Sequence, residues 1–299
     1  MVGQTRRALP GFRLSLGFAL LYMTLLVLIP LGGCFFKAAS LSPARFWAVV
    51  SHPQAMAAYR LSFGASLIAG LFNAVFGLLA AWVLVRYPFP GRKLLDALVD
   101  LPLALPTAVA GITFGTLFAP TGWYGRYLGF LEPEGWLGHW FGPEGGFGRT
   151  ITPLDVRPHD GPFAIVLVLI FVGIPFVIRS LQPVLAEFDA EQEEAAVILG
   201  ANRWQTFHHV ILPALLPAWL TGFALAYARG LGEYGSVIFV ASNIPYETEI
   251  PPVIIIAKLE QFSYDEAAAI AVVLLLFSLF TLFLINVLER WSRRFDPAR

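Results

Sequence analysis

The chain has 299 residues, 57% of them hydrophobic and only 13% charged, with a mean hydropathy of +0.70; it lacks the polar surface that a water-soluble domain of this size needs. Its formal net charge is zero and no basic patch is present, which excludes nucleic acid as a partner. The single Cys34 excludes an intramolecular disulfide and a cysteine-based metal site, and the adjacent His208 and His209 lack metal-ligand spacing.

Six apolar stretches follow one another, each near the roughly 20 residues that cross a bilayer. They run over 14–36, 61–84, 95–118, 163–178, 215–240 and 267–288; the fourth must borrow flanking residues to span. The pattern predicts an all-α integral membrane protein of about six transmembrane helices. Leu31-Gly32-Gly33-Cys34 has the form of a lipoprotein cleavage box. The run around it is longer than a signal core and five more spans follow, so an uncleaved anchor is expected. The run 252–257 is too short to cross and reads as a buried or re-entrant external segment.

Lysines and arginines set the orientation. With the N-terminus inside, the inner segments carry twelve of them, from Arg6 and Arg7 through Arg86, Arg92, Lys93, Arg179 and Arg203 to Arg293, Arg294 and Arg299. The outer segments carry seven, Arg45, Arg60 and Lys258 among them. Both termini are therefore expected inside, with a tight turn over 86–93. Between the third and fourth spans lies an irregular external stretch, 119–162, rich in Gly, Pro and Trp and bearing Glu132, Glu134, Glu144, Asp155 and Asp160.

The inner stretch 181–213 is more informative. Asp189 with Gln192 three residues on is a capping-box pattern, and Glu191, Glu193 and Glu194 suit the first turns of a helix by charge. Gly200 suits the end of that helix, and Asn202 with Gln205 starts a second one, predicted to run to Pro213. Such a pair could simply rest on lipid, but surface helices favour Lys and Arg. An acidic start followed by Ala195, Ala196, Ile198 and Leu199 fits a protein partner better.

Glu194-Ala195-Ala196, three residues, Gly200, nine residues and Val210-Ile211-Leu212-Pro213 resemble the EAA motif of the binding-protein-dependent, type I ABC importer permeases, with Val210 in place of Ile. Leu9-Pro10-Gly11-Phe12, Phe89-Pro90-Gly91-Arg92, Asp100-Leu101-Pro102, Pro106-Thr107-Ala108-Val109-Ala110-Gly111 and Leu231-Gly232-Glu233-Tyr234-Gly235 are similar to the T (or U) branch of the sulfate/thiosulfate permeases. The external loop is longer than that branch usually shows. The resemblance implies the type I permease fold in a bacterial inner membrane. It divides the chain into a tail, first span and external loop (1–56), a permease core (57–289) with its coupling loop (181–213), and a tail (290–299). It also implies that Glu194, Ala195, Ala196, Gly200, Leu212 and Pro213 couple the chain to a cytoplasmic ATPase. Two such ATP-binding subunits, a related second permease, an extracytoplasmic sulfate-binding protein and membrane lipid are the partners it implies. ATP and Mg would be used by the ATPase, and this chain would bind no cofactor and no metal.

Within the fifth span Arg229 and Glu233 stand four residues apart on one helix face, interleaved with Gly230, Gly232 and Gly235. They read either as a self-satisfied ion pair that pins packing or as part of an anion path. Asp96 and Asp100 open the third span ahead of Pro102, Pro106 and Thr107. There the choice is between carboxylates at a helix start, favoured by its dipole, and a gate or hinge at Asp100, Pro102, Pro106 and Thr107.

Other classes fit less well. No Gly-rich phosphate loop is present, so ATP must be bound by another chain. No Gly-x-Ser-x-Gly elbow or His-Glu-x-x-His helix supports a membrane enzyme. A gradient-driven anion transporter would leave the acidic loop without a task. Sulfate/thiosulfate import is the expectation, with molybdate or tungstate as the alternative cargo.

Overall fold

In a computed structural model the described residues are 12–119, 121–128 and 161–292, and every regular element among them is helical. Leu9-Pro10-Gly11, Arg6, Arg7, Arg293, Arg294, Arg299 and the five loop carboxylates from Glu132 to Asp160 lie outside the described residues. Helix α1 (Phe12–Met23) passes through a π-helical turn at Thr24–Leu28 into α2 (Ile29–Ala39). The Ile29 N–H bonds Thr24 O, which shifts the ladder by one residue just ahead of Pro30, a residue with no N–H to give. The most apolar window of this first helix has no buried residue, and Cys34, Phe35 and Ala38 pack it onto the last helix. A helix so apolar and so uncovered is one whose solvent is lipid.

Helix α3 (Pro43–Val50) leads to α4 (Pro53–Arg86), 34 residues begun by a His52 ring that accepts the Gln54 N–H and by Pro53 in the first turn. Beyond Tyr87, Phe89 O accepts the Arg92 N–H at 3.3 Å across Pro90 and Gly91. Gly91 has φ 85°, the left-handed setting that this turn requires.

The third apolar stretch is not one helix. It is split into α5 (Arg92–Val99), α6 (Leu101–Ala104) and α7 (Thr107–Phe118). The physical reason is Pro106: it drives the residue before it out of the helical region, and Leu105 is extended at φ −79°, ψ 135°. At twelve residues α7 is too short to cross alone. A short α8 (Gly125–Leu128) follows.

Helix α9 (Pro162–Glu187) extends the fourth apolar run at its C-terminal end, and α10 (Ala190–Ile198) and α11 (Arg203–Thr206) form the predicted loop pair. The second of these does not stop at Pro213. It continues through a π turn at Phe207–Ile211 into α12 (Leu212–Leu231), the Leu212 N–H reaching back to Phe207 O and Pro213 falling in the first turn of α12. The fifth span thus runs Arg203–Leu231 rather than to Val240. Helix α13 (Val237–Val240) is a separate turn, α14 (Pro251–Glu260) is the expected short external segment, and α15 (Tyr264–Ser292) is the last span. Among the described residues five helices are long and apolar enough to cross, and the broken α6–α7 run supplies the sixth apolar segment.

Helices α4, α9 and α12 form the core, where Ala81, Val177, Ile178, Leu181 and Leu215 are fully or almost fully buried. Their backbones approach through small residues. A Cβ built at Gly77 would lie 2.7 Å from Val177 Cγ1, and one at Gly222 would lie 2.8 Å from Val177 Cα. Trp219 Nε1 donates to Ala74 O at 2.7 Å, tying α12 to α4. At the opposite end of α4 from Arg86, Glu266 of α15 pairs with Arg45 of α3 and accepts Lys258 Nζ of α14 at 2.8 Å.

Candidate functional site

Two regions collect the residues singled out in the sequence. The first is the loop around α10. The Asp189 carboxylate caps the helix by accepting the Glu191 N–H at 3.0 Å. The reciprocal Gln192 half of a capping box is not formed there, whereas Asn202 and Gln205 form both halves of theirs at 2.9 and 2.8 Å. At the other end of α10, Gly200 N–H bonds Val197 O and Ala201 N–H bonds Ala196 O, with Gly200 at φ 88°. That is the two-bond closure in which a left-handed residue satisfies the last carbonyls. A side chain at position 200 would strain the closure by about 1 kcal/mol. Gly200→Ala is therefore expected to raise hydrogen exchange at the Ala201 amide about fivefold, read by mass spectrometry on the purified protein.

None of the α10 side chains is buried. Glu194 and Ala195 face solvent, and the helix ends on uncovered apolar residues, Ile198 at 84% and Leu199 at 87% exposure. Leu212 and Pro213 sit apart from this surface, in the first turn of α12, where they join the loop to the span. The EAA motif thus divides into a presented helix and a root.

Two ionic contacts that the sequence did not announce surround this loop. Glu193 pairs with Arg86 at the last residue of α4. Arg179 of α9 reaches α5 and α6, donating to Asp100 Oδ1 and Oδ2 at 2.8 and 2.6 Å and to Asp96 Oδ1 at 2.8 Å. Asp96 and Asp100 are therefore not carboxylates given over to a helix dipole. Asp100 makes no side-chain cap on α6, because both of its oxygens are taken by Arg179. On α5, outside the candidate spans, the Gln182 hydrogen bond and then the Arg179 guanidinium outweigh the raising effect of burial and hold the Asp96 carboxyl below its usual range.

The second region lies where α12 ends. Arg229 and Glu233 form an ion pair, but the helix stops at Leu231 and Glu233 sits beyond it. Its other oxygen accepts the Ser236 N–H at 2.9 Å and the Ser236 hydroxyl at 2.8 Å. Glu233 is 3% exposed, whereas the Arg229 side chain is 34% exposed. The α7 helix packs directly on this break. A Cβ at Gly235 would strike Thr107 Oγ1, and one at Gly111 would strike the Ser236 carbonyl. The structure thus brings the Arg229–Glu233 pair and Thr107 of the hinge set to one place, while Asp100 belongs to the Arg179 cluster. Arg86, Arg179 and Ser236 are the residues that sequence reasoning missed. Arg86, directly after an apolar run and before Tyr87-Pro88, carried the one signal available, a cation at a helix end.

Residues 73–294 match the family described as binding-protein-dependent transport system inner membrane component. The chain is 46% identical to the sulfate transport system permease protein CysT of Escherichia coli (strain K12), over 97% of each chain. To the protein of the same description from Synechococcus elongatus it is 44% identical, over 93% of this chain and 92% of that one. Among solved structures it is similar to a bacterial ABC transporter involved in the import of the acidic polysaccharide alginate, with TM-score 0.70 and 19% identity over 96% of each chain. A second, the bacterial alginate ABC transporter in complex with an alginate pentasaccharide-bound periplasmic protein, gives 0.70 and 19% over 93% of each chain. At that identity the two structures speak for the fold alone.

Proposed function

Since this chain belongs to the family of binding-protein-dependent transport system inner membrane components, the ABC importer permeases, we propose that it is the T-type permease subunit of an ATP-driven sulfate importer, taking thiosulfate as well. The observation that carries the reading is the 46% identity to a sulfate permease, end to end across both chains. The subunit works without catalysis of its own. Two cytoplasmic ATPases bind ATP and Mg, a related second permease completes the pathway, and an extracytoplasmic binding protein delivers the anion. Closure of the ATPase pair pushes on α10, where Glu194, Ala195, Ala196 and Gly200 form the coupling surface, and Leu212 and Pro213 pass the movement to α12. The spans then open outward to receive sulfate, and hydrolysis returns them. Arg229 contributes positive potential to the anion path, a use consistent with its partial exposure beside a buried carboxylate. Asp100, Pro102, Pro106 and Thr107 sit where the third apolar segment is broken, which suits them to gating.

The test is radiolabelled sulfate uptake in cells that lack this chain and any redundant sulfate importer, with molybdate uptake run in parallel. Sulfate uptake is expected to vanish and to return with the wild-type chain. Loss of molybdate uptake with sulfate uptake intact would move the cargo to molybdate and keep the architecture.

A further inference from the structure

The loop helix α10 is joined to the core by covalent links to two helices only. Phe188 and Asp189, both extended, connect it to α9, and the Gly200 turn connects it through α11 to α12. No side chain of α10 is buried, so packing does not fix it to the remaining core helix, α4. What reaches α4 is charge. The Arg86 guanidinium, on the last residue of α4, pairs with Glu193 of α10, the two side chains being 23% and 27% exposed. Its carbon lies 5.2 Å from the centroid of the Trp82 ring and 5.8 Å from that of Phe188. Trp82 is one turn earlier on α4, and Phe188 is the residue that leads into α10, so the guanidinium is held between the helix it ends and the segment it must hold. A cation at this position is also favoured by the C-terminal end of α4. Arg stacks on rings and bonds a carboxylate in a fixed plane, which makes such a junction stiff.

We infer that the Arg86–Glu193 pair is the tie that makes α4 follow α10, so that movement imposed on the coupling helix reaches all three core helices rather than the two it is covalently joined to. Both are positioning residues: they touch no cargo, and they act through α10. The inference rests on the proposed reading of α10 as the surface on which the ATPase pushes.

The experiment uses the whole complex, with second permease, ATPase pair and binding protein, in proteoliposomes. Sulfate uptake and phosphate release are measured on one preparation. Arg86→Gln and Glu193→Gln are each expected to leave ATP hydrolysis running while sulfate moved per ATP falls about tenfold, within the range of measured site-to-site couplings. The double variant is expected to be no worse than either single, because both remove one and the same contact. Arg86→Lys, which keeps the charge, is expected to recover part of the loss. An unchanged ratio in either glutamine variant would overturn the tie, as would losses that add in the double. ATPase missing from the purified variant complex would overturn it too, since the pair would then serve docking. The functional reading fails elsewhere, in the wild-type arm, if ATP-dependent sulfate uptake is absent there; that result would remove the ground on which the tie stands.

Discussion

Replacing Gly222 with leucine is expected to stop the three core helices from closing and to abolish recovery of the assembled permease. Val177, itself fully buried on α9, is gripped from two sides, by Gly77 of α4 and by Gly222 of α12. On the α12 side the atom that a new Cβ would meet at 2.8 Å is Val177 Cα, and Ser180 Cβ and Phe176 O follow at 3.2 and 3.3 Å. Two of these three are backbone atoms, which cannot turn aside as a side-chain tip can. In lipid the helices are not driven together by exclusion from water, so close backbone contact supplies much of their association. Forcing α12 away therefore costs the steric strain and the lost packing together, about 3 kcal/mol or more. Gly64→Ala is the matched control, since a Cβ there has nothing within 4 Å. Thermal unfolding of the purified complex, followed by size-exclusion chromatography in detergent, should show Gly64→Ala at or above wild type and Gly222→Leu as aggregate. A Gly222→Leu complex that eluted and melted like wild type would mean that α9 and α12 are not held by this contact.

The parts of the fold legible in the sequence were those governed by local chemistry. Length and hydropathy located all six apolar segments, and Asn202 with Gln205 formed the reciprocal cap that their spacing predicts. Gly200 closed its helix with φ 88°, as a residue free of a Cβ can. The unformed Gln192 half of the Asp189 cap aside, the failures turned on what a side-chain pattern does not carry: a backbone effect of a neighbouring residue, or a partner far along the chain. Mean hydropathy carried the third span straight across Leu105, because a sum over side chains does not sense that Pro106 extends the backbone before it. Pro213 reads as a stop on the rule for a plain α ladder, whereas the helix passes it directly after a π turn at Phe207–Ile211, where the Leu212 N–H bonds Phe207 O. For Asp96 and Asp100 the sequence offers a helix dipole or a hinge, whereas their cation stands 79 residues beyond Asp100 on another helix. Sequence offset speaks only to pairing between near neighbours, as from Arg229 at the end of α12 to Glu233 just past it, and is silent about pairing between helices. The Arg86–Glu193 contact, 107 residues apart, was out of reach for the same reason.

Removing Glu233 is expected to be the most damaging single change near the end of α12, and its pattern with Arg229 separates the two readings of that pair. Glu233 serves on both sides: one oxygen faces Arg229, and the other accepts the N–H and the hydroxyl of Ser236, the residue on which Gly111 of α7 rests. Glu233→Ala strips the cap from Ser236 and leaves the Arg229 cation without its counter-charge, a loss of about 3 kcal/mol with Arg229 itself a third exposed. Arg229→Gln leaves the carboxylate unpaired at 3% exposure, which is costly as well, though Ser236 still holds one oxygen. In the double Arg229→Gln, Glu233→Gln variant no charge remains to be buried, and the Gln carbonyl can still accept from Ser236. Its melting temperature should therefore lie above that of either single variant. Sulfate uptake by that double variant then reads the remaining question. On the proposed anion-path reading, uptake is expected to stay low with the fold restored, because the positive charge of Arg229 is gone while the packing is not. Uptake returning together with stability would make the pair a fastening of α12 to the segment beyond it and would take Arg229 out of the anion path.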